Sequence, residues 1–133
     1  MEARDAATPV PARLTVEVAR REHGVVLVNA AGEIDVATVR DWHVELEAAL
    51  GPPRPEILVA DLTEVTFLSS SGLNTLVQVN ERAESLGVPF RVVGRSRPVH
   101  RPLELTGLTD TLGYYGSVAA ACASVRGHRP SGV

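Results

Sequence analysis

The chain has 133 residues, 44% of them hydrophobic and 4% aromatic, which suits one domain built round one aliphatic core. Thirteen basic against 16 acidic side chains leave a net charge of −3, too little positive field to gather a polyanion, so no direct nucleic-acid partner is expected. The single cysteine, Cys122, rules out an internal disulfide and a thiolate metal cluster, and no stretch reaches the ~18 apolar residues of a membrane span, so a soluble cytoplasmic protein without metal, other cofactor or membrane partner is expected.

Residues 1–13 mix proline, alanine and charge without periodicity, and 126–133 do the same; both are expected to be flexible tails around a folded unit at 14–125. Residues 14–20, LTVEVAR, alternate apolar and polar in the manner of a half-buried strand. After the turn-prone REHG that holds His23, the β-branched run 25–32 predicts a strand covered on both faces and hairpinned to the first. Asp35 opens an amphipathic helix with Val36, Val39, His43, Leu46 and Leu50 on its stripe, stopped by Gly51, Pro52 and Pro53.

A second buried strand is predicted at 56–62, and TEVTFLSS then forms the loop to a helix starting at Ser70. Leu73, Leu76, Val77, Ala83 and Leu86 mark that helix's core side, Asn74, Gln78, Glu81, Arg82 and Ser85 its solvent side, and Gly87 its end. Residues 88–94 read as a strand, 95–106 as a short helix closed by Gly107, and LGYYG as a weak strand. Ser117 caps a last helix striped by Val118, Ala121, Cys122 and Val125. Pro102 would cost ~3 kcal/mol in a helix interior, so the 95–106 helix is expected to kink or to begin near His100. Strands alternating with helices give an α/β class.

Three serines in FLSSSGL, at 67–73, fall where strand chemistry gives way to a helix. One serine oxygen can cap the helix, worth ~1 kcal/mol, and only one is needed. A free hydroxyl at a helix N-terminus is also well placed for a phosphate, because the terminus carries partial positive charge and unpaired N–H donors. A serine nucleophile lacks the G-x-S-x-G surround and an evident His–Asp support, and no G-x-G-x-x-G or Walker A phosphate cradle is present.

The blocks G-E-I-D at 32–35, V-A-D-L-T-E-V-T-F-L-S-S-S-G-L at 59–73, V-V-G at 92–94 and L-E-L-T-G-L at 103–108 together resemble the STAS domain. That domain occurs in bacterial anti-sigma factor antagonists and in the cytoplasmic tails of sulfate transporters. The likeness covers residues 14–125 and implies a single STAS domain: a mixed β-sheet of about five strands with about four helices. It also implies a non-enzymatic regulator of transcription in a stress response, working by partner switching. In that scheme the antagonist binds an anti-sigma factor, usually a serine kinase with bound nucleotide, and so frees a sigma factor. The kinase phosphorylates the serine before an S-G or T-G pair and ends the interaction, and a serine phosphatase restores it. By position the acceptor is Ser70, with Ser69 as the alternative, and Asp35, Ser69, Ser71, Gly72 and Asn74 are the partner-binding positions. The family usually has Asp before the acceptor, where this chain has Ser69. Two other readings are carried forward: a constitutive, unphosphorylated scaffold or sensory module of a larger signalling complex, and a small serine hydrolase.

Several residues also have a plain structural reading. Asp35 is a good helix N-cap, Asp61 a turn former at a strand end, and Glu64 a solvent-facing residue. Trp42 and His43 are expected at the core edge of their helix, and Cys122 as a small buried hydrophobe. Arg91, Arg95, Arg97, His100 and Arg101 form a basic run that reads as a solvated face or as a contact for an acidic partner surface.

Overall fold

The computed structural model describes residues 13–126; the tails expected at either end lie outside the described residues except for Arg13 and Arg126. Five strands form one sheet in sequence order: β1 Leu14–Arg21, β2 Val25–Ile34, β3 Ile57–Leu68, β4 Phe90–Val93 and β5 Gly113–Tyr115. β1 and β2 pair antiparallel across the short turn Glu22–Gly24, and the other three pairings are parallel. The parallel strands are joined by α1 Val39–Ala49, α2 Ser70–Leu86 and α3 Arg97–Leu105, the last followed by a one-turn α4 Leu108–Thr111. α5 Val118–Arg126 ends the described chain.

This is the expected α/β fold with a mixed five-stranded sheet. Right-handed crossovers between neighbouring parallel strands taken in order put α1, α2 and α3 on one face. There Trp42, Leu46, Leu76, Val79, Val99 and Leu103 meet Val26, Val28, Leu58, Ala60 and Val92 of the sheet. α5 covers the other face, where Ala121 and Cys122 pack on Val25, Leu27, Ile57, Val59 and Val93. Both faces are therefore dry over residues 25–28 of β2 and 57–60 of β3, which is why those stretches run apolar without alternation.

The largest departure from expectation concerns residues 63–68. They are strand, not loop: β3 runs to Leu68 and β2 to Ile34, paired through two register shifts, and Val65 and Leu68 are buried. The bulges break the alternation that would otherwise have marked these residues as strand. Asp61 accordingly lies inside β3 and not at its end. Its Oδ1 accepts from the Thr63 N–H at 3.0 Å and from Thr63 Oγ1 at 2.9 Å, shaping the first bulge.

α1 starts four residues after Asp35, and Val36, expected on its buried stripe, is 83% exposed. Trp42 lies in the core itself, fully buried, and not at its edge. On α2 the buried positions are Gly72, Thr75, Leu76, Val79 and Ala83, so Thr75 and Val79 take the place assigned to Val77. Residues 88 and 89 precede β4 because Gly87 turns left-handed at φ 72° and the Val88 N–H closes back on the Ala83 carbonyl.

α3 begins at Arg97 and runs through Pro102. The missing N–H falls opposite the carbonyl of Pro98, an exposed residue in the first turn. α4 is an element the sequence pattern did not announce. No helix among the described residues is long and apolar enough to cross a membrane.

Candidate functional site

β2 and β3 end side by side, with Ile34 opposite Leu68 and the Ser69 N–H bonded to the Ile34 carbonyl at 2.9 Å. The next residues on the two strands are Asp35 and Ser69. The parallel register thus brings two candidate segments, 34 positions apart in sequence, to one edge of the sheet.

On the first segment, Asp35 caps the turn that leads into α1. Its Oδ1 accepts from the N–H groups of Ala37 at 2.9 Å and Thr38 at 3.1 Å, while its own N–H donates to Thr38 Oγ1 at 2.9 Å. This reciprocal pairing is a capping box closed by threonine. Thr38 Oγ1 also donates to the Glu33 carbonyl at 2.8 Å. The Arg13 guanidinium pairs with Asp35 Oδ2 and reaches Glu33 Oε1 at 3.1 Å, so Arg13 belongs to the folded unit and not to a tail.

Partial burial pushes the Asp35 carboxyl up, but the Ala37 N–H, the Arg13 charge and the Thr38 hydrogen bond outweigh it and hold the group below its ordinary value. A carboxyl held below its unfolded value near 3.9 adds stability above that pH, and the contribution fades as Asp35 protonates in the fold. The urea midpoint of wild type should therefore exceed that of Asp35→Asn at pH 7, and the gap should narrow as the pH falls below the ordinary carboxyl range. A gap that stays constant with pH would show that the carboxylate charge adds nothing.

On the second segment the serines take three distinct positions. Ser69 is the N-cap of α2, its Oγ accepting from the Gly72 N–H at 3.4 Å and lying 2.8 Å from Ser71 Oγ. Ser71 thus spends its hydroxyl on Ser69. Ser70, the first helical residue, is exposed, and its hydroxyl bonds no other described residue. Gly72 is buried where α2 meets the strands: a Cβ there would lie 2.6 Å from Leu68 Cδ1 and 2.9 Å from Ile34 Cγ2. Asn74, one turn after Ser70, is exposed on the same side of α2.

Two further features of this edge were not legible in the serine motif. Val36, Phe67 and Leu105 are large apolar side chains at 83%, 50% and 69% exposure. Phe67 and Leu105 flank a shallow groove of about 480 Å³ whose walls include Arg97, Arg101 and Pro102. The basic run divides here. Arg97 and Arg101 are exposed on α3 at the groove, whereas Arg91 turns to α5 and donates to Ser124 Oγ at 2.9 Å.

The sequence profile of the STAS domain matches residues 17–121. The chain belongs to the STAS domain family. This STAS domain is 37% identical over 122 residues to the anti-sigma-F factor antagonist RsfB of Mycobacterium tuberculosis, covering 90% of the chain and 95% of the relative. Identity to the same organism's anti-sigma-F factor antagonist RsfA is 30% over 118 residues, 88% and 91% of the two chains. The crystal structure of an anti-sigma factor antagonist from Mycobacterium paratuberculosis superposes with a TM-score of 0.78 at 34% identity, over 85% of this chain and 94% of that one.

Proposed function

We propose that this STAS domain is an anti-sigma factor antagonist. It docks on an anti-sigma factor of the serine-kinase type, releases a sigma factor, and is switched off by phosphorylation at Ser70. The kinship to named antagonists over nearly the whole chain supports the role. The observation that carries the switch is the division of labour among the serines: Ser69 caps, Ser71 bonds Ser69, and Ser70 keeps its hydroxyl exposed and unengaged.

In the transfer, Ser70 Oγ attacks the γ-phosphorus of ATP held by the partner, gives up its proton to a base there, and ADP leaves. The product carries roughly −1.5 to −2 charges at the start of α2. Within the fold that charge is favourable, because the helix N-terminus is positive. Against a docked partner it must be desolvated. Exposed Val36 beside Asp35, and Phe67 and Leu105 at the groove that Arg97 and Arg101 also line, supply the mixture of apolar and charged surface that suits a protein partner.

Incubation with the cognate anti-sigma kinase and ATP, followed by site mapping, tests the switch. Phosphate is expected on Ser70; phosphate on Ser69, or none on the three serines, overturns it. The second outcome would favour a constitutive scaffold, the reading that Ser69 in the usual Asp position supports. A hydrolase finds no support at Ser70, since His43 is bonded to Thr75 and His100 sits against Tyr114.

A further inference from the structure

Thr75 is a buried polar side chain on α2, 4% exposed. Its Oγ1 lies 2.9 Å from His43 Nδ1 on α1, and the opposite ring nitrogen, Nε2, lies 3.5 Å from Glu47 Oε2. A hydroxyl, an imidazole and a carboxylate therefore form one line from the interior of α2 across to the surface of α1. A buried hydroxyl whose partner is removed keeps its desolvation cost, so this contact is one the two helices cannot slide past freely.

Its place in the fold matters more than its strength. α1 and α2 follow parallel neighbouring strands, so both begin at the site edge, one behind the Asp35 turn and the other at Ser69. His43 and Thr75 each stand in the second turn of their helix, and the helices pack against each other. Apolar contacts between helices tolerate small slides; a directed hydrogen bond does not. Glu47 Oε2, one turn along from His43, lies on the far side of the ring, 3.5 Å from its second nitrogen.

We infer that His43 and Thr75 are positioning residues that hold the Asp35 turn and the Ser70 hydroxyl in one fixed relation, so that both meet the same partner surface. This rests on reading that edge as the docking site. Neither residue touches the partner; each acts through the helix start it anchors.

The test uses the full chain with Thr75→Val, which keeps the shape and removes the hydroxyl, and Thr75→Ser, which keeps the hydroxyl. Amide hydrogen exchange should rise about tenfold in Thr75→Val at residues 35–39 and 69–73 together, with the central residues of β2 and β3 unchanged, and Thr75→Ser should restore protection. Affinity for the anti-sigma factor should fall several-fold in the Val variant and recover in the Ser variant. A rise confined to 69–73, a uniform rise across the chain, or none would overturn the inference. The exchange result is independent of any partner. A wild-type chain that binds no anti-sigma factor would sink the docking reading while the exchange pattern still decides the tether.

Discussion

Ser70→Asp should lower affinity for the anti-sigma factor by roughly 100-fold, equivalent to about 3 kcal/mol, the scale on which a charge left buried and unpaired at an interface is penalised. The same substitution should leave the melting temperature unchanged or slightly raised. Ser70 is exposed at the first position of a 17-residue helix, where a carboxylate gains about 0.3–1 kcal/mol from the helix dipole. Stability and binding thus move in opposite directions, which separates a charge switch from simple misfolding. Ser70→Ala removes the acceptor without adding charge, so it should bind as wild type does and resist the kinase. Titration calorimetry of the three proteins against the anti-sigma factor checks this, and an Asp variant with unchanged affinity would leave the switch without a mechanism.

Ser69→Asp restores the residue usual in the resembling family and probes a different point. Aspartate, like serine, caps well, so the helix should start where it does now. The Ser69–Ser71 hydroxyl pair would become a carboxylate accepting from Ser71, which adds a charge one residue from the acceptor.

The order of the elements was legible because the first halves of β2 and β3 are apolar on both faces and α1, α2 and α5 carry clear stripes. The motif named Asp35, Ser69, Ser70, Ser71 and Gly72 as candidates, and the register of β2 and β3 brings these residues to one edge. Their separate duties were not legible. Which of three serines caps is set by the path of β3 through two bulges, and a bulge written in ordinary residues such as Leu62 and Thr63 leaves no periodic mark. Thr75 was hidden for a related reason. A threonine in an apolar stripe reads as solvent-facing until its partner, 32 residues away, is known. Val36 misled in the other direction, since its spacing fits the α1 stripe but the Asp35 capping box delays the helix until Val39. The five-residue basic run failed for want of geometry: Arg91 lies on a strand whose neighbours alternate faces, so its charge leaves the group that Arg97 and Arg101 form on α3.

Gly72→Val should destabilise the fold by about 3 kcal/mol, lowering the melting temperature on the order of 10 °C. The added Cβ alone would lie 2.6 Å from Leu68 Cδ1 and 2.9 Å from Ile34 Cγ2. Leu68 can swing the end of its side chain aside. Ile34 cannot move so easily: it is β-branched, fully buried, and its carbonyl is tied to the Ser69 N–H. Relief must then come from α2 lifting off the strands, and the first turn of α2 is where Ser70 sits. Removing glycine from a helix favours folding by a few tenths of a kcal/mol for valine and about 1 kcal/mol for alanine, which offsets little of the clash in Gly72→Val and more of it in Gly72→Ala. The alanine variant should therefore melt between the two, and both should lose kinase recognition in step with the displacement of Ser70. A Gly72→Val chain that melts with wild type would mean that α2 is not pinned to Ile34 and Leu68, and that the position of Ser70 is not set by the strands beneath it.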